Sequence, residues 1–279
     1  MRHPEGVTEF HVDADGASIA GEESSGATPV VLLHGLTATR RYVVMGSRTL
    51  EREDHRVIAY DARAHGRSSP AADGDYSYDA LAGDLRAVLD GAGIERAVLA
   101  GASMGAHTIA AFALAHPERL GGMVLITPAF DPEDDQPARL ERWDRLSDGL
   151  REGGVEGFIA AYGEPLVPES YRDTVRTVLR QRLSAHEHPD AVADALRAVP
   201  RSRPFEAWEQ LGDIDVPATV VVSRDEFDPE HPYAIGEFYA EAIGGAELRT
   251  EAEGKSPLAW QGGQLSHAIA ELAARVMQP

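Results

Sequence analysis

Five short, uninterrupted apolar runs, at residues 30–33, 57–60, 97–100, 123–126 and 219–222, constrain this 279-residue chain more than any other feature. A strand with one face in water alternates apolar and polar side chains. A run that is apolar throughout must be covered on both faces, as parallel strands are when helices pack on either side of a sheet. Between most of these runs lie segments with helical spacing, among them 78–91 and 105–116. This β-α alternation predicts an α/β fold with a mostly parallel, doubly wound sheet. Two alternating runs at 7–12 and 18–21, separated by Asp13-Ala14-Asp15-Gly16, predict a leading β-hairpin. A weaker strand at 247–252 brings the count to eight, and a helix at 265–277 ends the pattern.

The alternation breaks between Pro128 and about Pro204, where Arg, Glu, Leu and Ala dominate and no strand signal appears. Helices are predicted at 136–152, 155–162, 169–183 and 189–199, each bounded by Gly or Pro. The expected organisation is a core of 1–130 and 205–279, with a helical cap of 131–204 inserted after the sixth strand.

Composition narrows the function classes. Asp and Glu outnumber Lys and Arg by 46 to 26, and a net charge of −20 repels nucleic-acid phosphates and anionic membrane surfaces. There is no cysteine, hence no disulfide, no thiolate nucleophile and no Cys-ligated metal. The opening MRHPEGVTEF lacks the basic and apolar regions of a secretory leader, and no stretch reaches the roughly 18 apolar residues of a membrane span. The expectation is a cytoplasmic protein with a small-molecule partner, no nucleic acid and no membrane; oligomeric state is left open.

Gly101-Ala102-Ser103-Met104-Gly105 joins the run at 97–100 to the helical run that follows. In G-x-S-x-G at a strand-to-helix turn, small neighbours permit a tight bend that lifts the serine hydroxyl above the sheet. The helix start also aims free N–H groups at a developing oxyanion. His34-Gly35-Leu36, just after the run at 30–33, is placed to add a second donor, so the N–H groups of Leu36 and Met104 are the expected oxyanion hole. Asp61 and Arg63, in Asp61-Ala62-Arg63-Ala64-His65-Gly66-Arg67-Ser68, read as braces for their loop.

With these motifs in this order, the chain resembles the α/β-hydrolase family, in particular its esterase-like members with a helical cap. The resemblance spans nearly the whole chain and extends to a D-x-x-x-P element, Asp225-Glu226-Phe227-Asp228-Pro229. Ala64 departs from the glycine usual before the His-Gly pair. The resemblance implies that Asp225 is the triad acid, with Asp228 the second choice and better suited to capping a helix. It also implies a catalytic histidine after the eighth strand, and there the segment reads Gly254-Lys255-Ser256-Pro257-Leu258, with Lys255 in the histidine's place.

A base must therefore come from elsewhere. His231, six residues after Asp225, is the candidate carried forward, and Lys255, the chain's one lysine, is the alternative. His107 reads as packing under the elbow and His34 and His65 as loop braces, while His116 precedes Pro117 at a helix end. His186 and His188 lack further ligands nearby for a metal, and Asp131-Pro132-Glu133-Asp134-Asp135 reads as a solvated hinge. Trp143, Trp208 and Trp260 read as packing residues.

The expected function is a serine esterase, without cofactor or metal, that acts on a small, largely apolar ester, lactone or related carbonyl compound through an acyl-enzyme on Ser103. Serine at the elbow excludes relatives whose nucleophile is a carboxylate. The alternative is a family member without efficient hydrolysis, a small-ligand binder or lyase-like catalyst, and it rests on the missing histidine.

Overall fold

The computed structural model describes residues 6–135, 137–224, 228, 230–251 and 260–276. The chain opens with the hairpin β1 (Val7–Ala14) and β2 (Ala17–Ser24), turned at Asp15-Gly16, where both residues have positive φ. There follow β3 (Thr28–Leu33), the single helical turn α1 (Thr49–Arg52), β4 (His55–Tyr60), α2 (Tyr78–Gly91), β5 (Ala97–Ala102), α3 (Met104–Ala115) and β6 (Leu120–Ile126). Then come α4 (Pro137–Tyr162), α5 (Glu169–Leu183) and α6 (Pro189–Ala198), and the alternation resumes with β7 (Ala218–Val222), α7 (Tyr233–Ala242), β8 (Glu247–Thr250) and α8 (Gly262–Val276).

The eight strands form one sheet in the order β1-β2-β4-β3-β5-β6-β7-β8. The pairs β1/β2 and β2/β4 are antiparallel and every other pair is parallel. The expected α/β class and eight-stranded, mostly parallel, doubly wound sheet are what the structure has. Side chains on β3 to β7 are buried on both faces, as their unbroken apolar runs require. One face packs on α2 and α3 through residues such as Val31, Leu99, Leu85 and Ile109. The other packs on α8 through Val30, Val98, Leu265 and Ile269. Among the described residues, no helix is long and apolar enough to cross a membrane.

The topology decides where a ligand can sit. The chain leaves β3 toward β4 on one side and returns to β5 on the other, so the loops after β3 and β5 diverge at the carboxyl edge of the sheet. Such a reversal opens a crevice outside the strand ends. Leu33 pairs with Gly101 in register, which puts His34-Gly35-Leu36 and Ser103 side by side in that crevice.

The helices between β6 and β7 build a hydrophobic cluster of their own from Leu146, Leu150, Phe158, Leu183, Val192 and Leu196. That cluster is continuous with Leu36, Ala62, Tyr78 and Met104 of the core loops, so the insertion lies on the crevice side. Helix α4 is broken at Gly154 (φ 60°, ψ −147°), where the sequence predicts two helices. Two backbone contacts fix the insertion to the loop after β4: Gly66 N–H donates to His186 Nδ1 at 2.9 Å, and Glu187 N–H donates to Gly66 O at 2.9 Å.

Candidate functional site

Ser103 sits between β5 and α3 with φ 50° and ψ −111°, a left-handed backbone that a non-glycine residue adopts at a cost of about 1–3 kcal/mol. The turn is enforced by its glycines. A Cβ on Gly101 would lie 2.4 Å from the carbonyl carbon of Gly105, and one on Gly105 would lie 2.3 Å from the backbone oxygen of Leu33. Backbone bonds from Ser103 N–H to Ile126 O and from His107 N–H to Ser103 O lock the elbow from both sides.

His231 Nε2 lies 2.9 Å from Ser103 Oγ. On its other side, His231 Nδ1 lies 3.0 Å and 2.9 Å from the two carboxylate oxygens of Asp228. Burial pushes the Asp228 carboxyl up, but the hydrogen bond and charge of His231 and the N–H groups of Glu230 and His231 outweigh it and hold the group below the ordinary carboxylate range. An ionised Asp228 accepts the Nδ1–H, which assigns the tautomer with a lone pair on Nε2, and Nε2 then accepts the Ser103 hydroxyl proton. A serine, an imidazole and a carboxylate in this relay can remove a proton from the hydroxyl as it attacks and return it to a leaving group.

Leu36 and Met104 are both buried beside the elbow. A Cβ on Gly35 would stand 3.6 Å from Ser103 Cβ, so the loop carrying Leu36 runs directly against the serine. Among the described residues, neither the Leu36 N–H nor the Met104 N–H is spent on another acceptor. The Leu36 carbonyl faces the other way, onto His65 Nε2 at 2.7 Å.

Asp225, the acid implied by the family resemblance, lies outside the described residues, as does Lys255. The carboxylate on His231 belongs to Asp228, the second choice. The sequence signal for it was Asp228-Pro229-Glu230-His231, a spacing of three that lets two side chains of one turn meet; the capping reading of Asp228 passed it over.

The buried histidines His34, His65, His107 and His186 are structural partners. His107 Nε2 accepts N–H bonds from Ala129 (2.8 Å) and Phe130 (3.1 Å), and its Nδ1 lies 2.9 Å from the Tyr78 hydroxyl. Burial holds it neutral, far below the ordinary histidine value. His34 Nε2 accepts from Ala62 N–H at 2.9 Å. The rings of His34, His65 and His186 pack in sequence, the first pair tilted and the second edge-on, with centroids 5.1 Å and 5.4 Å apart. Arg63 makes a two-point bond to Asp84 at 2.9 Å and 2.7 Å, and Asp61 is bonded by Arg40, so both loop residues brace as expected. Among the described residues, no group of three or more His, Asp or Glu is arranged to hold a metal.

One partly buried cation of the insertion had no sequence signal. Arg182, on α5, lies over the Tyr42 ring at 4.9 Å from its centroid, and its Nε is shielded from solvent without a hydrogen-bond partner. Burial lowers its pKa, opposed by Tyr42 and Tyr162. Tyr162 in turn is within electrostatic reach of Asp228 and Glu230.

A family model described as alpha/beta hydrolase fold matches residues 28–184, more than half of the chain. A 2-hydroxy-6-oxononadienedioate/2-hydroxy-6-oxononatrienedioate hydrolase of Pseudomonas putida is 33% identical over 217 residues, covering 73% of each chain. Among solved structures, a thermophilic esterase from Thermogutta terrifontis, with malate bound, is 26% identical with a TM-score of 0.78, over 97% of this chain and 100% of that one. The enol-lactonase from Burkholderia xenovorans LB400, at 23% identity and a TM-score of 0.73 over 96% and 98% of the two chains, shares the fold. With the switch-point crevice and the strained serine elbow, these matches place the chain in the α/β-hydrolase fold family, as an enzyme of the hydrolase kind.

Proposed function

We propose that this protein is a serine hydrolase that transfers the acyl part of a small ester, lactone or related carbonyl compound to Ser103. The observation that carries the reading is the contact of His231 Nε2 with Ser103 Oγ at 2.9 Å, with Asp228 on the opposite nitrogen. In the first half-reaction Ser103 Oγ bonds to the substrate carbonyl carbon while its proton passes to His231 Nε2. The oxyanion forms between the N–H groups of Leu36 and Met104. His231 then gives the proton to the leaving oxygen, and the bond from carbon to that oxygen breaks. Water repeats the sequence on the acyl-enzyme, again losing its proton to His231. Asp228 keeps the imidazole in the required tautomer and stabilises its protonated form. In this reading Asp228 takes the acid role, and the helical insertion of 131–204 acts as the cap that closes the crevice. The non-hydrolytic alternative rests on the missing histidine after β8, and the His231 contact weighs against it.

A second reading has its own support. The Pseudomonas putida relative is named for a dienedioate substrate, a compound with two carboxylates, and the Thermogutta terrifontis esterase was solved with malate. Arg182 offers a guanidinium whose Nε is shielded from solvent and against which, among the described residues, no carboxylate is paired. Such a cation suits a carboxylate on the substrate. A fluorophosphonate probe and a chromogenic short-chain ester test the primary reading. Mass spectrometry is expected to place the adduct on Ser103, and Ser103→Ala and His231→Ala to lose activity while Lys255→Met keeps it. Labelling at another residue, or full activity in His231→Ala, would overturn it.

A further inference from the structure

Asp228 and His231 share a single turn, three residues apart, between β7 and α7. That brings acid and base together cheaply, but it leaves the base on one short segment in place of a strand-end loop of its own. Glu230, between them, reaches toward α4. Its carboxylate lies 2.9 Å from Arg142 Nε and 3.8 Å from Arg139 Nε. All three side chains are about three-quarters buried, and the facing atoms Glu230 Oε2, Arg139 Nε and Arg142 Nε are shielded from water. An ion pair in that setting is less screened than one on the open surface.

Both arginines are themselves held. The Arg142 guanidinium lies over the Tyr162 ring, 5.1 Å from its centroid, and Arg139 Nη1 donates to Ala129 O at 3.0 Å. Ala129 N–H donates to His107 Nε2 at 2.8 Å, and His107 stands one turn along α3 from Ser103. The contacts close a ring from Ser103 through α3, His107, Ala129, Arg139, Glu230 and His231 back to Ser103. The geometry points to Glu230 as a positioning residue: clamped by Arg142 and Arg139 of the helical insertion, it fixes the turn that brings His231 to Ser103, so the base is assembled only while the insertion is seated. This inference rests on His231 being the base. It makes the insertion part of the chemistry as well as a wall of the crevice, because a displacement of the base by about 1 Å is enough to lose about a hundredfold in rate.

The test is a mutant cycle of Glu230→Gln, Arg142→Gln and the double variant, each shown folded by circular dichroism and thermal melting and assayed on a chromogenic short-chain ester. Each single variant is expected to lose at least about tenfold in kcat with KM changed less than about threefold, and the double variant to be no worse than either, because both break one clamp. An unchanged kcat in folded Glu230→Gln, losses that multiply in the double variant, or an effect confined to KM would overturn the inference. Should Glu230→Gln fail to fold, Arg142→Gln and Arg139→Gln read the clamp from the other side by the same criteria. His231→Ala run alongside separates the two levels of argument. If it retains activity, the base assignment falls and the clamp with it; if it loses activity while Glu230→Gln keeps it, only the clamp falls.

Discussion

His34 and His186 face each other across His65 where the helical insertion meets the core, and both are built to be neutral. Nε2 of His34 accepts the Ala62 N–H and Nδ1 of His186 accepts the Gly66 N–H, roles a protonated nitrogen cannot fill. Burial, reinforced by His65, pushes each from the ordinary value of 6.5 down to about 3. The unfolded chain therefore takes up a proton at each site as the pH falls through 6.5, while the folded chain declines it until about pH 3. Stability contributed by these groups is fully present above pH 6.5, falls across the window from 6.5 to about 3, and levels off below it.

At about 1.4 kcal/mol per pH unit per proton, moving from neutral pH to pH 5 removes about 2 kcal/mol at each histidine, or about 4 kcal/mol for the pair. Burial of His65 and His107 lowers their pKa values and acts in the same direction. The expected loss is a large fraction of the roughly 5–15 kcal/mol that stabilises an ordinary domain. Urea unfolding at pH 7, 6 and 5, followed by tryptophan fluorescence, measures it. His186→Asn, whose amide oxygen can accept the Gly66 N–H without titrating, is expected to remove about 2 kcal/mol of the loss between pH 7 and pH 5. A change below about 1 kcal/mol between pH 7 and pH 5 in the wild-type protein would refute the reasoning, as would an unaltered slope in His186→Asn.

Asp228→Asn is expected to lower kcat about 10²- to 10⁴-fold on a short-chain ester, with Asp225→Asn costing little; the reverse result would move the acid role to Asp225. In Gly105→Ala the new methyl meets the backbone oxygen of Leu33 at 2.3 Å, so a loss of about 1–3 kcal/mol in thermal or urea unfolding is expected, together with slower fluorophosphonate labelling of Ser103. Arg182→Gln is expected to raise KM at least about tenfold for an ester carrying a carboxylate while leaving a neutral ester of the same length unchanged. Equal effects on the two esters would make Arg182 a packing residue against Tyr42.

The sequence by itself determined the sheet and the serine elbow. Unbroken apolar runs are compatible only with strands covered on both faces, and they became β3 to β7. At the elbow, two glycines flank the serine where β5 turns into α3, so the place of Ser103 at the start of that helix was legible from five residues. What the tertiary structure decided is the identity of the partners. That Asp228 faces His231 depends on side-chain directions in a loop with no periodicity to read, and the spacing from Asp228 to His231 gains meaning only once the turn sets Nε2 on Ser103. Arg182, Arg139, Arg142 and Glu230 look like ordinary surface charges of amphipathic segments in the sequence. Packing of the helical insertion against the crevice leaves one of these cations without a counter-charge among the described residues and sets the other two against the turn that carries His231. Local sequence dictates local backbone; long-range neighbours and their electrostatics exist only when distant segments are brought together.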